Sequence, residues 1–310
     1  MKIGLMLGGG GVFGAYQLGV IKALAEEKLL NQVQVISGVS IGAINTAMIL
    51  TGMKVSEMEC IWELINNEII FKGDNPLFKD EEKSLIDTSR LYNLVTKGLS
   101  IKKIHKSKVL GYATLKEVES PKIINQINYF RGKKVTVLLN EAKNPFEIAK
   151  ASSSIPMLFG TTKIDDKYYV DGGYVDNNPM DPLLENKCDI ILAVPLTTTF
   201  KYKRYEDHNI TIIDFKNCNL FSKLYTINIL KSVIFTKEVV REYQIAGYSW
   251  AKYIIAILKK LHIIVDNQFK IDTKEFTYYN LEKLEREIWC ILQVMKLKLL
   301  NGYNVLVEMS

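Results

Sequence analysis

The chain has 310 residues, a formal net charge of +6 and 48% hydrophobic residues, enough to bury a substantial core in one or two domains. Its four cysteines, Cys60, Cys188, Cys218 and Cys290, are too scattered for a C-x-x-C pair or a zinc ligand set; they read as buried thiols in a reducing compartment, with no metal and no cofactor expected. Beyond about residue 216 lysines break every apolar run well short of the roughly 20 residues that a membrane span requires.

In chain order, Lys2 to Leu7 reads as an apolar strand and Ala15 to Leu24 as an amphipathic helix, joined by Gly8-Gly9-Gly10-Gly11-Val12-Phe13-Gly14. This start superficially mimics a signal peptide, but the apolar run is only about five residues before Gly8, so a retained N-terminus and a cytoplasmic location are expected. Bare amides at a helix N-terminus make an anion site, for an oxyanion or for a phosphate. Gly9, Gly11 and Gly14 also satisfy G-x-G-x-x-G, but that dinucleotide pattern wants an acidic residue closing the second strand. Here the second strand, Val33 to Ile36, runs into Ser37-Gly38 instead, and the absence of Gly-Lys-Ser/Thr argues against a P-loop.

Ser40 sits in Gly38-Val39-Ser40-Ile41-Gly42, after that strand and before Ile41, Ile44, Ala47 and Met48, which recur at helical spacing until Gly52. Strand, sharp turn and helix form the context in which a serine is presented as a nucleophile. Met53 to Ser107 has helical spacing with scattered charge and is expected to form a cap-like insertion; within it Lys97, Lys102, Lys103 and Lys106 form, with Lys108 just beyond, a patch that reads as solvated. Val109–Thr114 and Val135–Leu139 are predicted strands and Pro145–Ser153 a helix. Lys163–Val170 leads into Asp171, and Ile190–Val194 and Ile210–Phe215 read as buried strands. Strands interleaved with helices imply a largely parallel sheet.

A serine hydroxyl needs a base. His105, His208 and His262 all lie in charged or polar surroundings and read as surface residues. Asp171 ends an apolar strand and is followed by Gly172 and Gly173. A lone Asp-Gly-Gly is commonly only a turn; its meaning comes from the segments around it.

Four segments, Gly9-Gly10-Gly11-Val12-Phe13-Gly14, Gly38-Val39-Ser40-Ile41-Gly42, Ala151-Ser152-Ser153-Ser154-Ile155-Pro156 and Asp171-Gly172-Gly173 with Asn177-Asn178-Pro179, together resemble the patatin-like phospholipases of bacterial type in order and spacing. The resemblance covers about residues 1 to 200. It implies an α/β three-layer fold related to the α/β-hydrolases, with a largely parallel central sheet plus a C-terminal helical region. It further implies a serine–aspartate dyad without histidine: Ser40 as nucleophile, Asp171 as proton acceptor, and the amides of Gly9, Gly10, Gly11 and Val12 as oxyanion hole. Gly14, Gly38, Gly42, Gly172 and Gly173 support the motifs. Relatives usually carry Arg or Lys just before the last glycine of the loop, where this chain has Phe13. The implied domains are 1–215, catalytic, with the cap at about 53–107, and 216–310.

Beyond residue 216 the pattern turns to helices rich in Tyr, Ile, Leu and Lys. Trp250, Tyr253, Ile254, Ile257, Leu258, Leu261 and Val265 share a helical face, and residues 201–310 hold 17 Lys+Arg against 12 Asp+Glu. Such a stripe either packs on its own domain or lies on an anionic bilayer, giving peripheral contact at the inner membrane surface. Nothing suggests a nucleic-acid partner, which would need aromatic platforms or a recognised module beside the charge. The expected partner is a phospholipid or other acyl-ester substrate. A lipid-binding regulator with little turnover and a nucleotide-binding loop are the competing readings; oligomeric state is not legible.

Overall fold

The computed structural model describes residues 1–65, 96, 100–128, 132–156, 158–198, 200–221, 234–271 and 275–287. Most of the expected cap, and Lys97 and Cys290, lie outside them. Strands are β1 (Ile3–Leu7), β2 (Val33–Val39), β3 (Leu110–Val118), β4 (Lys133–Leu138), β5 (Thr162–Ile164), β6 (Lys167–Asp171), β7 (Ile190–Val194), β8 (Thr211–Asp214), β9 (Ile264–Val265), β10 (Gln268–Phe269) and β11 (Thr277–Tyr279). Helices are α1 (Gly14–Glu26), α2 (Ile41–Leu50), α3 (Val55–Leu64), α4 (Ile101–Lys106), α5 (Ile123–Ile127), α6 (Pro145–Ser152), α7 (Asp181–Glu185), α8 (Cys218–Phe221) and α9 (Lys237–Lys260).

The main sheet has the order β11-β8-β7-β1-β2-β3-β6-β5, with β4 also on β3. The six strands from β11 to β3 are mutually parallel; β4, β5 and β6 are antiparallel additions. The central strands are buried on both faces, which is why β1 and β7 read as unbroken apolar runs. Ile3, Leu5 and Leu7 of β1 pack with α1 and α9 on one face, whereas Met6 meets Leu183 and Phe200 on the other, so the fold has three layers.

One expectation is corrected. Helix α1 is not amphipathic in burial: from Gly14 to Ile21 every residue is buried, Gln17 included, because α9 covers the side facing away from the sheet. The C-terminal extension carries α8 and α9 and adds short strands: β11 extends the main sheet along β8, and β9 and β10 form a small hairpin.

Most of the apolar stripe of α9 accordingly packs inward, but Tyr253 is 49% exposed and Val265 lies on β9, beyond the helix. Ile254, Ile257 and Leu258 are buried in the same core cluster as β1 and α1, and Lys252 and Lys259 pair with Glu27 at the end of α1. Among the described residues no helix is long and apolar enough to cross a membrane. Cys188 is buried, but Cys60 is exposed, against the expectation of buried thiols.

Strand β3 is the element that matters for the site. Its first half pairs with β2, ending at Val39↔Thr114; the next residue, Leu115, pairs with Asp171 of β6. Tyr112 to Glu117 also pair with β4, so β4 occupies the other edge and β2 and β6 share one. The end of β2 and the end of β6 are thus held in adjacent register by consecutive residues of a single strand.

Candidate active site

Ser40 follows β2 with φ 55 and ψ −128, a left-handed conformation unusual for a residue with a side chain. The turn is so tight that the flanking positions have no room for a Cβ: one on Gly42 would lie 2.2 Å from the carbonyl oxygen of Leu7, and one on Gly38 would lie 2.4 Å from that of Gly42. The elbow therefore demands glycine on both sides, by backbone crowding rather than by chemistry.

The Ser40 hydroxyl donates to Asp171 Oδ2 at 2.5 Å. Both residues are buried, at 5% and 4% exposure. The other carboxylate oxygen, Oδ1, accepts the Gly173 amide at 2.7 Å. Burial is the largest influence on Asp171 and pushes its pKa up to about 6, against the lowering effect of the two hydrogen bonds. The backbone is braced by Ser152, whose Oγ accepts from Ser40 N at 2.9 Å and donates to the Thr114 carbonyl at 2.7 Å. Asp171 N donates to the Ser154 carbonyl at 2.8 Å. Ser152 and Ser154 come from the serine-rich end of α6, so that segment ties elbow and aspartate to the same strand.

The glycine loop lies against the serine. A Cβ built on Gly9 would sit 3.2 Å from Ser40 Cβ and 2.4 Å from Asn177 Oδ1. Gly9 N donates to the Asn177 carbonyl at 3.3 Å, and Asn177 Nδ2 donates back to the Gly9 carbonyl at 3.2 Å. Among the described residues no protein acceptor takes the amides of Gly10, Gly11 or Val12, which open the 3-10 turn Gly11–Phe13 ahead of α1. Of the four expected donors, then, Gly9 is engaged by Asn177 and three remain open. Phe13 points away from the site: it is buried, with its ring 4.9 Å from Tyr243 of α9 and 5.8 Å from Phe221 of α8.

The three histidines are exposed, and none is hydrogen-bonded to Ser40; His105 instead meets the Ala142 carbonyl at 3.0 Å. Among the described residues no group of three or more His, Cys, Asp or Glu is arranged to hold a metal. The groups that are present suit acyl transfer: a hydroxyl with a carboxylate of raised proton affinity beside it, and the glycine loop against the serine.

The Patatin-like phospholipase family model matches residues 5–184, which contain every one of these groups. The chain belongs to the patatin-like phospholipase family. Patatin-like phospholipases are serine hydrolases acting on ester bonds. The chain is 26% identical over 228 residues, 67% of its own length and 76% of the relative's, to "Probable lipid hydrolase 463L" of Invertebrate iridescent virus 6. Similar solved structures include VipD from Legionella pneumophila (13% identity, TM-score 0.48, 82% of this chain and 66% of that one). Human GIVD cytosolic phospholipase A2 is another (11% identity, TM-score 0.47, 84% and 60%). The chain thus spans less than two thirds of the length of either of these two.

Several residues of this patatin-like site carry little signal in the sequence. Gln17 and Asn45 are buried polar residues on largely apolar helices, and their only mark is a polar type within a mostly apolar run. Asn177 is visible as part of a motif, but its two-way grip on Gly9 exists only in three dimensions.

Proposed function

We propose that this protein is a lipid acyl hydrolase that cleaves acyl ester bonds of glycerophospholipids through Ser40 and Asp171. The observation that carries the reading is the 2.5 Å hydrogen bond between two buried side chains beside three open amides. Asp171 Oδ2 takes the hydroxyl proton as Ser40 Oγ attacks the ester carbonyl, and the amides of Gly10, Gly11 and Val12 receive the negative charge on the carbonyl oxygen. Collapse of this intermediate breaks the ester C–O bond, and the leaving lysolipid alkoxide takes the proton from Asp171. Water then attacks the acyl-enzyme with Asp171 again accepting the proton. The fatty acid leaves, and Ser40 recovers its hydrogen.

We further place the protein in the cytoplasm with peripheral contact to an anionic inner membrane surface. Exposed large apolar side chains are scattered among the described residues except on α5, where Ile123, Ile124 and Ile127 are 37%, 64% and 40% exposed beside Lys122. Helix α5 lies in the connection after Val118, and Val118 is three residues, roughly 10 Å of strand, beyond Leu115, the partner of Asp171 on β3. That is the end of the sheet where a bilayer substrate would approach Ser40.

The test is release of fatty acid from phospholipid vesicles by the purified protein, compared with Ser40→Ala and Asp171→Asn. Product that appears with wild type and with neither variant is expected; equal release by all three would refute the dyad. One observation favours a second reading, a lipid-binding regulator with little turnover: Phe13 buries a ring where relatives place a cation beside the loop. Labelling of Ser40 by a fluorophosphonate separates the two, since a mere binder would leave the serine unmodified.

A further inference from the structure

The amides assigned to the oxyanion belong to a loop with almost no side chains of its own. Gly8 to Gly14 contains five glycines, the most flexible residue type, and neither Gly10 nor Phe13, the residues that cap its two helical turns, supplies a side-chain hydrogen bond. Yet donors can stabilise a transition state only if they are held in place beforehand. Something outside the loop has to fix it.

Gln17 and Asn45 do so from below. Gln17 Nε2 donates to the Gly8 carbonyl at 2.7 Å and reaches the Val194 carbonyl at 3.4 Å. Asn45 Nδ2 donates to the Gly14 carbonyl at 3.2 Å and to Gln17 Oε1 at 3.0 Å. Trp62 Nε1 donates to Asn45 Oδ1 at 3.1 Å and fixes that amide in turn. Gln17, Asn45 and Trp62 are fully buried, on α1, α2 and α3 respectively, so no water competes for these bonds. The two carbonyls they hold are the first and last of the loop. Gly8 follows the last ladder residue of β1, so its carbonyl lies outside the paired register of the sheet. A buried carbonyl left unbonded is strongly unfavourable, and the Gln17 amide supplies its partner.

We propose that Gln17 and Asn45 are positioning residues of the hydrolytic site, clamping both ends of the glycine loop so that the amides of Gly10, Gly11 and Val12 point at the substrate oxygen. This rests on the esterase reading above. The clamp acts through the loop and touches no substrate, so its removal weakens binding of the transition state and leaves binding of the ground state alone.

The test compares wild type with Gln17→Met, which keeps length without amide groups, and Asn45→Asp, which keeps the acceptor for Trp62 but removes the donor to Gly14. With a soluble p-nitrophenyl ester, kcat should fall about 10- to 100-fold while KM stays within about twofold, less than the 10²- to 10³-fold loss typical of deleting an oxyanion donor outright. The inhibition constant of a trifluoromethyl ketone, which forms a tetrahedral adduct on Ser40, should rise in proportion. Affinity for the product fatty acid should not move. Full kcat in folded Gln17→Met, or a loss shared equally by KM and fatty-acid affinity, overturns the proposal. Should both variants fail to fold, Trp62→Phe decides, because it leaves the loop bonds intact but frees the Asn45 carbonyl oxygen. A 2- to 10-fold drop in kcat at constant KM is expected there, and wild-type kcat overturns the clamp. Were the wild type itself inactive, the esterase reading would fail separately. Hydrogen exchange of the peptide spanning residues 8–14 would then judge the clamp: faster exchange in the variants upholds it, equal rates refute it.

Discussion

Ser40 and Asp171 lie 131 residues apart in sequence and share a 2.5 Å hydrogen bond, because Thr114 and Leu115, neighbours on β3, pair with Val39 and Asp171 respectively. The contact is thus built from strand register and does not depend on the placement of a long loop. Burial then gives the aspartate its proton affinity.

The first expectation concerns pH. Asp171, the proposed base, can accept a proton only when ionised, and burial raises its pKa to about 6. With a soluble ester, kcat/KM should be flat above neutrality and fall about tenfold per pH unit well below 6. A profile flat down to pH 4.5 would mean that Asp171 does not carry the proton.

The same shift affects stability. The native carboxyl binds its proton more tightly than the unfolded one, whose pKa is near 3.8, so between about pH 4 and pH 6 the native state holds more protons and the Asp171 contribution becomes steadily less favourable as pH rises. Fully developed above pH 6, the destabilisation is about 3 kcal/mol. Asp171→Asn should therefore gain in Tm relative to wild type as pH increases through this window, with no further gain above it. Thermal unfolding from pH 4 to 8 measures the trend.

Ser40 carries backbone strain along with the hydroxyl. Ser40→Ala should reduce hydrolysis by at least about 10³-fold and keep the strain, since alanine also has a Cβ. Ser40→Gly should be equally inactive but more stable than Ser40→Ala by about 1 kcal/mol, because glycine adopts φ 55 without penalty. Denaturant titration of the two inactive variants at one pH checks the difference.

The crossing of α1 and α9 gives a structural prediction. A Cβ on Gly19 would lie 2.1 Å from the Gln244 carbonyl oxygen, and one on Gly247 would lie 2.1 Å from that of Tyr16. Gly247→Ala should therefore destabilise the whole protein by about 1 to 3 kcal/mol through overpacking. Because α9 shares the core of β1, a single unfolding transition at lower denaturant is expected. A separate early transition would mark residues beyond 216 as an independent unit.

The membrane expectation is tested by flotation. Replacing Ile123, Ile124 and Ile127 with serine should reduce recovery with anionic liposomes and leave hydrolysis of a soluble ester intact. Loss of both activities together would indicate damage to the fold.

Much of the site is legible in the order of the residues. Ser40 and Asp171 stand at strand ends beside glycines, and the crowding at Gly38 and Gly42 gives the physical reason that the motif has its spacing. Less is legible for α1, where Gln17 looks like one polar position on a helix and proves to be buried against the ends of β1 and β7, bonded to Gly8 and Asn45. The apolar stripe of α9 leaves two outcomes open, because an amphipathic pattern says that a face is covered and not by what.

The residue string alone determined local features: where strands end, where the backbone must turn without a Cβ, and which side chains have nucleophilic or basic chemistry. Those follow from short-range sterics and periodicity, which act between near neighbours. Tertiary structure decided what depends on distant partners: that β3 brings residues 40 and 171 together, that burial lifts the carboxyl to about 6, that Phe13 packs on Tyr243, and that Gln17 and Asn45 grip the glycine loop. Desolvation and hydrogen-bond geometry are properties of the assembled surroundings, and no stretch of neighbouring residues contains them.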